Sequence, residues 1–230
     1  MLPMASSVDI ERTRLITILT TVALAVTGVI LFSGWSGSDG RTAAWIGTLN
    51  NTILITHTLR HRDGVMARLL LFGVIVGFVE LAADAWLVDV TRSLDYSVSN
   101  STMVWRSPWW MIMAWQIVAM QFAYIGLRLY ERMGVKGLVL SGLLGAVNIP
   151  FYEEMALRLN WWRYRGCAML SHTPYYIILG ELLLVMGFGA LARTVRQTSW
   201  VNVALAGVAA GVGIFVSYFA AWYVVEAITR

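Results

Sequence analysis

Seven long apolar runs divide the chain, and they decide what it can fold into. A bilayer core roughly 30 Å thick is crossed by about 20 apolar residues in helical form. The runs cover residues 15–33, 42–59, 68–90, 107–129, 137–155, 174–192 and 200–228. The expectation is an all-α bundle of seven transmembrane helices, forming a single integral membrane domain over residues 1–230. Asn50, Asn51, Thr52, Thr56 and His57 interrupt the second run, which makes it the weakest. Asn148 and Pro150 predict a kink or an early end in the fifth.

Composition supports this. Hydrophobic residues make up 58% of the chain and charged ones 13%, where an average soluble domain has about 25% charged residues. The polar surface is too small to coat a water-soluble globule. Disorder, a coiled coil and a disulfide scaffold are excluded on the same figures. The net charge of +4 comes from 17 basic and 13 acidic residues scattered between the apolar runs. That pattern fits basic membrane loops rather than a nucleic-acid surface. The single Cys167 has no internal disulfide partner and no evident base beside it. Asp9, Glu11, Arg12 and Arg14 precede the first run, no small-residue cleavage pattern follows it, and no cleavable leader is expected.

Arginine and lysine counts set the expected orientation. One face holds ten: Arg12, Arg14, Arg60, Arg62, Arg68, Arg128, Arg132, Lys136, Arg193 and Arg196. The other holds seven: Arg41, Arg92, Arg106, Arg158, Arg163, Arg165 and Arg230. The bias predicts a cell-membrane protein with a cytoplasmic N-terminus.

Ionisable residues inside a span are costly and so mark function by default. Glu80 and Asp84 stand at i and i+4 in the third span, on one helical face. Glu153 and Glu154 close the fifth, Glu181 lies two turns into the sixth, and Glu226 is near the end of the seventh. Alternating span direction puts all six in the same half of the membrane, whichever way the bundle points. Six carboxyls from four helices predict one polar-lined cavity. The competing structural reading pairs them with Arg106, Arg158 or Arg163. Aromatics crowd the same half: Trp105, Trp109, Trp110, Trp115, Trp161, Trp162, Tyr164, Tyr175, Tyr176, Trp222 and Tyr223. An interfacial belt accounts for part of them, and the excess over the opposite face suggests a cavity wall. Aromatic faces stabilise cations. Acids beside aromatic faces are the parts needed to protonate an alkene and guide the resulting carbocation.

Other chemistries fit less well. Glu153-Glu154-Met-Ala-Leu-Arg158 matches the EExxxR of intramembrane CAAX-type proteases, but their FxxxH motif is absent. His57 and His61 have the i, i+4 spacing of a metal pair, yet they fall at the basic face, where a solvated loop end is expected. His172 is the only histidine on the cavity side, so no metal site is expected. The sole lysine, Lys136, lies in a loop, which excludes a retinal Schiff base in the last span. No inverted repeat points to a transporter.

The segments Phe78-Val-Glu80-Leu-Ala-Ala-Asp84-Ala-Trp86, Leu94-Asp-Tyr96, Arg106-Ser-Pro-Trp109-Trp110, Pro150-Phe-Tyr-Glu153-Glu154, Trp161-Trp162-Arg-Tyr164 and His172-Thr-Pro-Tyr175-Tyr176, followed by Glu181, together resemble membrane-integral terpene cyclases of meroterpenoid and indole-terpenoid biosynthesis, Pyr4-like enzymes and bacterial seven-span proteins. The resemblance covers about residues 78–181. It implies a metal- and cofactor-independent cyclase of isomerase or lyase type. Such an enzyme protonates an alkene or epoxide of a prenyl chain already joined to another group. The partners implied are a prenylated hydrophobic small molecule and membrane lipid, with no nucleic acid. The catalytic candidates are Glu80, Asp84, Glu153, Glu154, Glu181 and Glu226. Of these, Glu80 is the expected donor, as the deepest, and Glu181 or Asp84 the final proton acceptor. The substrate-binding candidates are Trp109, Trp110, Trp115, Trp161, Trp162, Tyr164, Tyr175 and Tyr176. Alternatives are a non-enzymatic binding protein or transporter for a lipid or cation, and a carotenoid cyclase or hydratase-like enzyme. Gly207, Gly211 and Gly213 in the last span allow close helix approach, within the bundle or in a dimer.

Overall fold

A computed structural model describes residues 7–196 and 199–229, with the side chains of residues 7, 8, 226 and 229 outside the description. Seven long helices follow one another: α1 (Ser7–Ser33), α2 (Gly40–His61), α3 (Gly64–Thr91), α4 (Met111–Met133), α5 (Val135–Arg158), α6 (Tyr175–Leu191) and α7 (Trp200–Thr229). All except α2 are long and apolar enough to cross a membrane. The chain is an all-α integral membrane protein. In lipid every backbone polar group needs an internal partner, which a helix supplies along its whole length.

Helix α2 falls short of the other six because polar residues interrupt it: the exposed Thr48 and Thr52 bond back to carbonyls of their own helix, while Asn50 and Asn51 turn towards the bundle. Asn50 is fully buried, and Asn51 Oδ1 accepts a hydrogen bond from Gln116 Nε2 of α4 at 2.6 Å. At 22 residues α2 is still about 33 Å long, enough to span the core.

The two ends of the bundle differ. At one end the connections are tight. Arg62 closes α2 in the left-handed conformation, with φ 48°, and Asp63 caps α3 by accepting from the N–H groups of Val65 and Met66. Gly134, at φ 60°, alone separates α4 from α5. A 3-10 turn, Ala192–Arg196, ends α6. At the other end the connections are longer, residues 34–39, 92–110 and 159–174, and three short antiparallel ladders brace them. Strand β1 (Leu94–Asp95) pairs with β4 (Arg163–Tyr164), β2 (Met103–Val104) with β3 (Ser107–Pro108), and β5 (Met169–Leu170) with β6 (Thr173–Pro174).

Three expectations need correcting. The fourth span starts at Met111, because Ser107–Pro108 belongs to a ladder and not to the helix. Helix α5 does not end early at Pro150 but continues to Arg158. A missing N–H costs one hydrogen bond, which membrane helices tolerate. His57 is buried, not solvated. It lies 2.9 Å from Thr17 Oγ1 and 3.2 Å from Asp63, whose carboxylate is clamped by Arg14 through two contacts of 2.7 Å. A buried charge needs such a partner. Glu11 extends the network to Arg14, Arg128 and Arg196, fastening α1, α4 and the end of α6 at the tight-turn face.

Small residues set the helix spacing in the core. Phe72 and Phe188 meet edge to face at 6.4 Å. Gly207 and Gly211 of α7 pack against α3, at Phe72, Ile75 and Val79. These two glycines serve packing within the chain, and Gly213 has open space beside it.

Candidate functional site: an acid-lined cavity under the long loops

Helix α3 carries Glu80 and Asp84 one turn apart, then loosens into a π turn over Leu87–Thr91 and stops at Arg92. Single π turns recur at functional sites. Asp84 Oδ2 accepts hydrogen bonds from the Tyr96 hydroxyl at 2.6 Å and from Ser107 Oγ at 2.8 Å. Glu80 sits behind it, beside Asp84 and Trp115. Its carboxyl is fully buried, and neither oxygen has a well-formed hydrogen bond. A poorly satisfied buried polar group costs free energy, which makes Glu80 a weak contributor to stability beside Asp84 and Trp115.

The second acid comes from the next-to-last turn of α5. Glu153 accepts from Trp162 Nε1 at 2.6 Å and from the Tyr164 hydroxyl at 3.3 Å. The third lies in α6, where Glu181 accepts from the Tyr218 hydroxyl of α7 at 2.7 Å. Each acid is thus held by a phenol or indole from a different element. Burial, together with the nearby carboxylates, keeps the Tyr96 and Tyr164 phenols well above their ordinary pKa, so both act as donors.

The loops that deliver these donors are clasped by the β1–β4 ladder, in the register Leu94 to Tyr164 and Asp95 to Arg163. Asp95 locks it, accepting from the Ser97 backbone N–H and from Arg163 Nε, both at 2.9 Å. Burial pushes the Asp95 carboxyl up, but the Ser97 bonds and the Arg163 and Arg165 guanidiniums outweigh this and hold it at about 2.

Asp84, Glu153 and Glu181 converge on one cavity of about 270 Å³, with Tyr96, Trp115, Trp162, Tyr164 and Tyr218 among its walls. Among the described residues, no lysine, arginine or histidine lines it. The competing pairing with arginine holds for Glu154 alone among the described candidates, through Arg158, while Arg106 pairs with Asp89 and Arg163 with Asp95.

The sequence candidates therefore divide. Asp84, Glu153 and Glu181 line the cavity, with Glu80 one layer behind. Glu154 points outward, to Arg158 and His172, because it is the neighbour of Glu153 on a helix. The Glu226 side chain lies outside the described residues. Of the aromatics, Trp115, Trp162 and Tyr164 form the wall. Trp109 and Tyr175 are exposed. Trp110 and Trp161 are buried structural residues: Trp110 stacks on Trp162, and Trp161 Nε1 donates to Thr42. Tyr176 is buried against Ser93. The sequence reading missed Tyr96, Tyr218, Ser107, Gln121 and Asn148. Tyr218 carried a readable signal, as a phenol within an otherwise apolar and small-residue stretch of α7.

No curated protein matches the chain at the level of significance applied, and no solved structure does. A family model matches residues 81–225, which hold all three cavity acids, Asp84, Glu153 and Glu181. That match covers well over half of the 230 residues, and the chain belongs to the family described as Domain of unknown function (DUF6989).

Proposed function

We propose that the protein is a membrane-embedded terpene or meroterpenoid cyclase, acting on a prenylated hydrophobic molecule without metal or cofactor. The observation that carries this reading is the cavity: three carboxyls from three helices, aromatic walls, and no basic side chain among its lining residues. A carboxyl in its neutral form is a proton donor, and desolvation and a neighbouring acid both favour that form. Asp84 faces the cavity, and Glu80 behind it completes a pair. In the reaction the Asp84 proton forms a C–H bond with the electrons of a terminal alkene, or opens an epoxide by protonating its oxygen. The cation is then captured by the next double bond and passes along Trp115, Trp162 and the tyrosines. Glu181 or Glu153 removes a proton to form the final alkene, and the proton returns to Asp84 before the next turnover. The product is an isomer of the substrate. Exclusion of water protects the cation from hydration. In this reading the protein sits in the cell membrane with its tight-turn face cytoplasmic, as the ten-to-seven arginine and lysine bias indicates.

The test is turnover of linear prenylated phenols and their terminal epoxides by the purified protein. The expected product has unchanged mass and a new retention time, and in D₂O it carries one deuterium. Asp84→Asn, Glu153→Gln and Glu181→Gln are each expected to lower turnover about 100-fold or more, the usual worth of a positioned acid or base. Full turnover in all three variants would overturn the reading.

One observation favours a second reading. The hydrogen-bond donors around Asp84, Glu153 and Glu181 also suit ionised carboxylates, and such a set within aromatic walls would hold an organic cation. Saturable binding of a quaternary ammonium compound, with no product from any prenylated substrate, would place the protein in that class.

A further inference from the structure

The cavity has two ends, and they differ. Its acid end lies under the long loops, where Tyr96 separates it from the aqueous side. Tyr96 is only 6% exposed, is bonded to Asp84 at 2.6 Å, and packs edge to face on Trp162 at 6.3 Å. Above it lies a separate polar basin of about 1050 Å³, lined by residues such as Asp89, Arg92, Thr102 and Arg165. Among the described residues, Tyr96 is the one common to both linings. The other end is mainly apolar, with Val22 of α1, Ile125 of α4 and Leu144 of α5 each near the middle of its helix, and Gln121 and Asn148 one turn away as its polar members. Leu144 lines the cavity yet is 45% exposed, and Val22 and Ile125 are half-buried. Helix α1 packs mainly on α2 and touches α5 lightly. The lining between α1 and α5 is thus partly exposed midway along these helices, and this lightly packed stretch is the candidate mouth.

We propose that the cavity is loaded from the bilayer through this mouth, by an amphiphile that inserts an isoprenoid chain end first. Leu144 and Glu153 are nine residues apart on α5, so about 14 Å separates mouth from acids. A cavity of about 270 Å³ is at the small end for a ligand site. It takes the end of a prenyl chain and leaves the rest in the membrane. The ligand class rests on the proposed function; the route rests on the openings alone.

The test uses the protein in phosphatidylcholine vesicles and a prenyl alcohol bearing a photoreactive diazirine at its chain end, with labelled peptides read by mass spectrometry. Label is expected on the peptides carrying Asp84, Glu153 or Glu181. Leu144→Trp and, independently, Val22→Trp are expected to cut that labelling about tenfold or more by overfilling the mouth. Val147→Trp, on the lipid-facing side of the same helix and 77% exposed, and Thr102→Trp, in the outer basin, are expected to label as the parent does. Size-exclusion profiles check that each variant is folded. Undiminished labelling in both folded mouth variants, or loss of label in Thr102→Trp alone, would overturn the route. Loss of label at the mouth variants supports it even where no cyclised product forms, so the route and the cyclase reading fail separately.

Discussion

At the scale of single residues, the chemistry turns on which acids face the cavity and which face an arginine. Glu153 and Glu154 are neighbours in sequence and opposites in environment: one accepts from Trp162, the other pairs with Arg158. Glu154→Gln is therefore expected to retain turnover within about twofold, as an exposed ion pair contributes little, while Glu153→Gln loses it; equal loss in both would place the active acid wrongly. Asp95 makes a different prediction. Its folded carboxyl, at about 2, lies below the ordinary unfolded value of about 3.9. The stability it adds is fully present above that ordinary value and is lost as pH falls through about 2. Asp95→Asn removes it. The bonds are charge-assisted, but Arg163 is half exposed, so the loss is about 1 kcal/mol, or about 2–4 °C in Tm. Thermal melts at pH 7 should show that gap, and it should narrow towards pH 3; a variant melting with its parent at pH 7 would remove Asp95 from the clasp. Intramembrane charge made Asp84, Glu153 and Glu181 legible in the sequence. Tyr96 and the division between Trp162 and Trp161 were not legible, because they depend on how two loops pair across about 70 residues of chain, which no local pattern encodes.

At the scale of elements, close helix approach places the acids. Gly73 and Gly77 of α3 stand one turn apart against the backbone of α4; an added Cβ would meet Gln116 O at 2.7 Å and Ile112 O at 2.2 Å. Backbone oxygens cannot move aside as a side chain can. Small residues at this spacing let membrane helices approach, and here they bring Asp84 and Glu80 beside Trp115. Gly77→Ala is expected to cost about 1–3 kcal/mol through overpacking, lowering Tm in detergent, whereas Gly213→Ala, with nothing within 4 Å, leaves it unchanged. Equal melting of the two variants would mean that the α3–α4 contact is looser than described. Apolar run length alone located all seven helices, since lipid imposes that length directly, and the second was the weakest because polar residues interrupt it. Helix α2 was harder to read because its polar residues bond back to their own helix or, for Asn51, to Gln116 of α4, a partnership visible only once the two helices are side by side. The π turn at the end of α3 had no sequence signal either; it follows from where Thr91 and Ser93 bond and from the left-handed Arg92.

At the scale of the whole molecule, the asymmetry between ends is the organising fact. One end is drawn tight by two capped turns and by the Glu11, Asp63, Arg14, Arg128 and Arg196 network. The other carries the long loops, the clasp and the acids beneath them. The tight end holds the excess of basic residues, several of them matched by Glu11 and Glu131. That matching does not weaken the orientation argument, because the rule counts arginine and lysine rather than net charge. It predicts that the long loops lie outside the cell. With Cys167→Ser as background, single cysteines at Ser36 and Thr102 are expected to react with a membrane-impermeant maleimide added to intact cells, and one at Arg62 only after lysis. Ser36 and Arg62 flank α2, so their labelling from opposite sides also tests whether that polar helix crosses the bilayer. Reactivity of Arg62→Cys alone in intact cells would invert the bundle and bring the acid end to the cytoplasmic half. Reactivity of both flanks from one side would take α2 out of the membrane, and with it the half-buried Asn51–Gln116 contact that binds it to α4.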